Sequence, residues 1–254
     1  MNVVMPMAGH GSRFRKIGVD VPKPLIDVRG RPMYAWAMDS LPLELATRVI
    51  FVCLAEHLED RALERDIRAR YGHLALEIIP LPRVTQGQAC TVLAARGLID
   101  DATPLVIYNA DTYCKTSLAR TLPALAPDVD GVLSVFEAPG GGGSSGSAGG
   151  GAAPPDRWSF ARVDASGRVV ETAEKRRISP WATTGLYWFR HGRDFVRHAD
   201  AMILDSDRTG GEYYVAPVYN RLIAEGRHIR IDVADEVWVL GTPEDLAHFE
   251  AHHA

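Results

Sequence analysis

Cysteine is scarce in this chain, which holds three of them, Cys53, Cys90 and Cys114, an odd number at wide spacings. That excludes a disulfide framework and any C-x-x-C zinc pattern, so reduced thiols are expected. No apolar run approaches the ~18–20 residues that cross a bilayer, so no membrane partner is expected. No basic segment leads into a long apolar stretch at the start, so no secretory signal is read and a cytoplasmic location is expected. Positive charge is not in excess either. The formal net charge of -4 argues against nucleic acid as the main partner. What remains is 254 residues, 46% of them hydrophobic, enough for the core of one large domain spanning residues 1–254.

Apolar runs alternate with helical stretches along the first half. Residues 3–7, RVIFVCL at 48–54, 76–79, PLVIY at 104–108 and 132–136 read as strands. Residues 56–71, 88–96 and 118–125 read as helices. This order predicts an α/β fold, a Rossmann-like and mostly parallel sheet flanked by helices. The pattern then changes. Runs at 158–163 and 168–172 flank Ala165-Ser166-Gly167, a hairpin signal, and TTGLYWF at 183–189 is β-rich, so added antiparallel strands are expected in the second half. Helices are expected near 192–204, 213–225 and 243–252. Residues 139–155, PGGGGSSGSAGGGAAPP, have no periodicity and read as a flexible insertion rather than a linker between domains.

The opening carries most of the chemistry. The first strand stops at Ala8-Gly9-His10-Gly11-Ser12-Arg13, and Pro22-Lys23-Pro24 follows. Glycines let the backbone turn sharply and approach a ligand. A helix opening after them offers free N–H groups to anions. With the cations Arg13 and Lys23, the loop suits a polyphosphate. It is not a Walker loop, whose G-x-x-x-x-G-K-[ST] spacing is absent. It is a poor dinucleotide fingerprint too, since the third glycine position holds Phe14. Asp111, in Asn109-Ala110-Asp111 after a buried strand, stands where open α/β sheets bind ligands and is placed to hold Mg²⁺. Thr85-Gln86-Gly87-Gln88-Ala89, before a helix, offers amide side chains and glycine backbone to a base edge.

The combination G-x-G-x-R, then PKPL, resembles the nucleotidyltransferases that join a nucleoside triphosphate to a sugar phosphate or similar phosphorylated small molecule. The likeness extends over nearly the whole chain to GTPEDL at 241–246, and is nearest to bacterial enzymes of surface-polysaccharide and specialised-metabolite pathways. It implies a Mg²⁺-dependent pyrophosphorylase reaction in which the acceptor phosphate attacks the α-phosphorus. Residue by residue, it implies catalytic roles for Arg13, Lys23 and Lys175. It puts the nucleotide on Ala8, Gly9, Gly11, Ser12, Gly87 and Asn109, with Gln86 and Gln88 both candidates for the base. It puts the acceptor on Glu174, Thr184, Gly185 and Glu212, and the metal on Asp111.

The likeness breaks at one point. Thymidylyltransferases of the family carry a second metal-binding aspartate two residues before the Gly-Thr matched by Gly241-Thr242, and here that position is Val239. Asp232 or Asp235 could take that role, or Asp111 works with phosphate oxygens and water alone. Two other readings stay open: a metal-dependent glycosyltransferase, with Asn109-Ala110-Asp111 standing in for its D-x-D, and an inactive nucleotide or sugar-phosphate sensor. The phosphate loop argues against the first and the retained cations against the second. Homo-oligomerisation is left open.

Overall fold

The computed structural model describes residues 1–139 and 157–253. The Gly-rich stretch read as an insertion therefore lies, beyond Pro139, outside the described residues.

The buried run Asn2–Met7 forms β1 and leads into the single turn α1 (Ser12–Arg15). A short ribbon, β2 (Asp27–Val28) and β3 (Arg31–Pro32), precedes α2 (Met33–Met38). Then come β4 (Arg48–Leu54), α3 (Ala62–Tyr71), β5 (Leu76–Leu81), α4 (Gln88–Leu93) and α5 (Arg96–Ile99). Next are β6 (Leu105–Tyr108), β7 (Thr112–Lys115), α6 (Leu118–Thr121) and the long β8 (Val129–Glu137). The expected hairpin is present as β9 (Ser159–Val163) and β10 (Val169–Glu174), followed by β11 (Trp181–Phe189). The chain ends with α7 (Gly192–Leu204), α8 (Val218–Ala224), β12 (His228–Val233), β13 (Glu236–Val239) and α9 (Pro243–His252).

The main sheet runs β10-β9-β11-β6-β1-β4-β5, with β8 paired to β11 and β12 paired to β8. The β6-β1-β4-β5 block is parallel, and β11 is antiparallel to both β6 and β8. Alternate residues of each strand face opposite layers. Val3, Met5 and Phe51 pack under Tyr34 and Met38 of α2 and Ile67 of α3. Val4, Ile50 and Ile107 pack on the other face against Val92 of α4, Phe195 of α7 and Leu222 of α8. A smaller apolar cluster of Phe14, Met33, Trp238, Leu240 and Phe249 fastens α1 to α9. Among the described residues no helix is long and apolar enough to cross a membrane.

The order in which strands are added to the sheet reverses at β1. The chain runs outward through β4 and β5, then returns to β6 on the other side of β1. Ligands of open α/β sheets bind in the crevice at such a switch point, outside the carboxyl ends of the strands. The loop after β1 and Asp111 after β6 both emerge there.

Some expected elements are shorter than the pattern suggested. The helix read from 56 starts at Ala62, because Arg61 sits at φ 60° and Asp60 Oδ1 caps the Ala62 N–H. The helix read from 213 starts at Val218, because the backbone of Tyr213 is committed to the segment before α4. The helix read over 118–125 loses its α geometry at Leu122–Ala124, around Pro123.

Candidate active site

The loop after β1 is shaped by one glycine. Gly11 sits at φ 63°, and a Cβ there would lie 2.9 Å from the Cβ of Lys23, so glycine lets the PKPL segment close against the loop. The helix that follows is a single turn, so its aligned dipole is small. Arg13 on that turn is exposed, while Phe14 beside it is buried in the cluster with α9. Ser12 opens the turn and is also exposed.

Lys23 reaches across the crevice to Asp111, Nζ to Oδ2 at 2.5 Å. Burial pushes the Asp111 carboxyl up, but the Lys23 charge and hydrogen bond, with Arg13 behind them, outweigh it and hold the carboxyl below its ordinary range. The ribbon of β7 with β13 then brings the C-terminal segment alongside: Leu240 N–H donates to the Asp111 carbonyl at 2.8 Å. A Cβ on Gly241 would lie 3.2 Å from Asp111 Oδ2. Val239 therefore stands on the same wall as Asp111. Asp232 does not reach that wall. It lies buried with Ser117 donating to its Oδ1, and burial raises its carboxyl above the ordinary range. Asp235 lies at the far end of the ribbon, its N–H donating to Lys115.

Two more glycines set the opposite side. At Gly185, φ 87°, a Cβ would fall 2.0 Å from Asn109 Nδ2, so the Asn109 amide occupies the space a side chain would take. Gln88 donates to Asn109 Oδ1. At Gly87, φ 129°, a Cβ would lie 2.4 Å from the Tyr213 carbonyl oxygen. Tyr213 accepts from Ala89 N–H and donates to the Gln86 carbonyl, which locks the segment before α4. Gly185→Ala is thus expected to destabilise the protein, by about 1–3 kcal/mol for backbone strain and a similar amount for overpacking. Urea unfolding should show a lower midpoint, and Asn109→Ala in that background should recover part of it.

Three connected cavities result. The first, about 360 Å³, is walled by Lys23, Gln88, Asn109, Asp111, Glu174 and Gly185. The second, about 580 Å³, shares Asn109 and Asp111 and adds Arg13, Lys175, Thr184 and Val239. The third, about 200 Å³, is lined by Ala8, Gly9, Gly87, Gln88 and Glu212. The structure separates some expected neighbours. Gln86 turns its amide out to Arg208, leaving Gln88 on the cavities. Glu212 faces the cavity of Gly87 and Gln88, not that of Glu174, and accepts from the Tyr214 hydroxyl. Glu174 and Lys175 line different cavities: Lys175, at φ 53°, lines the second and places its Nζ 2.5 Å from the Tyr214 hydroxyl.

Several lining residues went unread in the sequence. Arg157 lines both larger cavities and is paired with Asp245, and Trp158 lies beside it. Both follow the Gly-rich stretch directly, which hid them. Asp245 had a legible signal: Thr242-Pro243-Glu244-Asp245 is a helix start, and Thr242 Oγ1 does accept from Asp245 N–H.

A glycine-shaped loop, a carboxylate at the switch point and four cations thus surround the cavities. The family model "Nucleotidyl transferase" matches residues 2–252, and the chain belongs to that family. A nucleoside-diphosphate-sugar pyrophosphorylase from Vibrio cholerae RC9 superposes with a TM-score of 0.77 at 29% identity, over 98% of this chain and 100% of the other. The UTP–glucose-1-phosphate uridylyltransferase AglF of Haloferax volcanii is 26% identical over 96% of this chain and 93% of its own length. The mannose-1-phosphate guanylyltransferase catalytic subunit beta of Danio rerio is 28% identical over 45% of this chain, and the match spans only 31% of that protein. The fold expected from the sequence, a mostly parallel sheet with helices and added antiparallel strands, is the one found.

Proposed function

We propose that the chain couples a nucleoside triphosphate to a sugar phosphate, or a similar phosphorylated small molecule, with release of pyrophosphate. The observation that carries this is the meeting of Arg13, Lys23 and Lys175 with Asp111 around two connected cavities at the switch point. An acceptor phosphate oxygen bonds to the α-phosphorus, the bond to the bridging oxygen breaks, and pyrophosphate departs. The acceptor phosphate is already ionised near neutral pH, so in-line positioning and charge stabilisation do the work and no general base is assigned. Arg13 and Lys23 meet the charge that develops on pyrophosphate. Lys175 meets the attacking phosphate. The third cavity, with Gly87 and Gln88, suits the base. Relatives that act on glucose-1-phosphate and mannose-1-phosphate support the acceptor class.

Mg²⁺ fits the donor set in one way. No group of three His, Cys, Asp or Glu side chains comes together among the described residues. Mg²⁺ accepts one carboxylate when substrate phosphates and water complete its shell. Asp111 would hold it there, and bound Mg²⁺ would neutralise phosphate charge. We place the reaction in the cytoplasm, where triphosphates are supplied and the three free cysteines stay reduced.

Pyrophosphate release should be measured with each common nucleoside triphosphate against a panel of sugar and polyol phosphates. One pair should turn over in a Mg²⁺-dependent way. Glycosyl transfer from an activated sugar without pyrophosphate release would make the chain a glycosyltransferase. Binding with no turnover for any pair would make it a sensor.

A further inference from the structure

The wall of the 360 Å³ cavity carries two hydrogen-bonded pairs, Ser159 with Glu174 and Thr183 with Tyr187. Ser159 and Glu174 face each other across the β9–β10 pair, and Ser159 Oγ donates to Glu174 Oε2. Both are buried, at 9% and 8% exposure. The Tyr187 hydroxyl lies 2.9 Å from Thr183 Oγ1 on the same wall. Thr183 and Tyr187 meet because the pairing of β11 with β8 shifts register between them, around Gly185.

Proton counting agrees with the direction of the Ser159–Glu174 bond. An ionised carboxylate only accepts, and serine has one proton to give, so Ser159 spends it on Glu174. A low local dielectric strengthens such a bond.

We infer that Ser159 is a positioning residue that fixes the Glu174 carboxylate through its hydrogen bond and turns it toward a hydroxyl of the bound acceptor. The second half of that statement rests on the proposed function; the first half does not. Ser159 satisfies one lone pair of Oε2. Glu174 lines the cavity, where a ligand hydroxyl can donate to its remaining lone pairs.

The groups around Glu174 set the sign. Burial is the largest influence and pushes the carboxyl up, Ser159 is the largest opposing one, Lys175 on the next residue also favours the charged form, and Glu212 disfavours it. Tyr187 and Tyr214, the other titratable groups near it, are held neutral, pushed up to about 12 and above that by burial. Removing the Ser159 hydroxyl therefore moves the carboxyl further up, so it is lost as an acceptor at a higher pH.

The first experiment is carbon-13 NMR titration of the substrate-free full chain, labelled at the glutamate side-chain carboxyl carbons, with Glu174→Gln identifying the resonance. Ser159→Ala should raise the Glu174 midpoint, and Ser159→Thr should return it toward wild type. An unchanged midpoint in a folded Ser159→Ala protein overturns the positioning role, whatever the enzyme does. The second is steady-state pyrophosphate release. Ser159→Ala should raise the acceptor KM about tenfold, as expected for one hydrogen bond to a charged group, with the triphosphate KM unchanged. The acid limb of the acceptor kcat/KM profile should move to higher pH. An equal rise in both KM values overturns the aim at the acceptor. A wild-type protein that turns over no acceptor removes the proposed function and the acceptor half with it, and the NMR midpoint still decides the rest.

Discussion

Asp111→Asn should abolish Mg²⁺-dependent pyrophosphate release, lowering turnover by at least about 10²–10³. Asparagine keeps the shape and one acceptor oxygen but removes the charge that a hard divalent cation prefers. Val239, not a carboxylate, stands on the same wall, and Asp232 is buried elsewhere on Ser117, so neither supplies the missing charge, while Asp245 on that cavity is paired with Arg157. The substitution also frees Lys23, which then adds positive charge where the aspartate balanced it. Mn²⁺ or raised Mg²⁺ should restore part of the loss. Stability follows a definite sign. The Asp111 carboxyl is held below its ordinary range in the folded protein, so it stabilises the fold above its unfolded pKa. That contribution fades as pH falls through the folded value. Wild type should melt higher than Asp111→Asn at neutral pH, and the gap should close in acid. Retained activity at low millimolar Mg²⁺ would show that the metal sits elsewhere.

Much of this site was legible because its signals are local. The strand–loop–helix at the start, PKPL, and the carboxylate after PLVIY each show in a few consecutive residues, and the switch-point rule then places them together. The hairpin of β9 and β10 was legible from its turn residues. What stayed hidden depends on contacts between distant segments. The β7–β13 ribbon, four residues a side, has too little sequence to show a period, yet it sets Gly241 against Asp111. Glu174 and Lys175 line different cavities, and the lysine has a left-handed φ, a conformation that residue type does not announce. Gln86 and Gln88 looked equivalent because the sequence does not show which side of the chain Tyr213 pins. The Ser159–Glu174 pair needed the strand register, which shifts between Val169 and Glu171, an irregularity that the turn residues do not announce.

Arg13→Ala should cut turnover by about 10²–10³ while leaving the fold intact. Arg13 is exposed on a one-turn helix whose anchorage is the buried ring of Phe14, so removing its side chain takes away no core contact. Exposed substitutions of this kind usually change stability by about 0.5 kcal/mol or less, and the melting temperature should hardly move. The kinetic loss comes from the place of the guanidinium. It lines the larger cavity with Lys175 and Asp111, where pyrophosphate charge grows as the α-phosphorus bond breaks. An interaction that strengthens only as that charge appears lowers kcat more than it raises KM. Arg13→Lys separates charge from shape. Lysine restores a point charge but not the planar fork that grips two phosphate oxygens, so it should recover only part of the rate. Near wild-type kcat in Arg13→Ala at saturating substrates would take Arg13 out of the reaction and leave Lys23 and Arg157 to carry the leaving group.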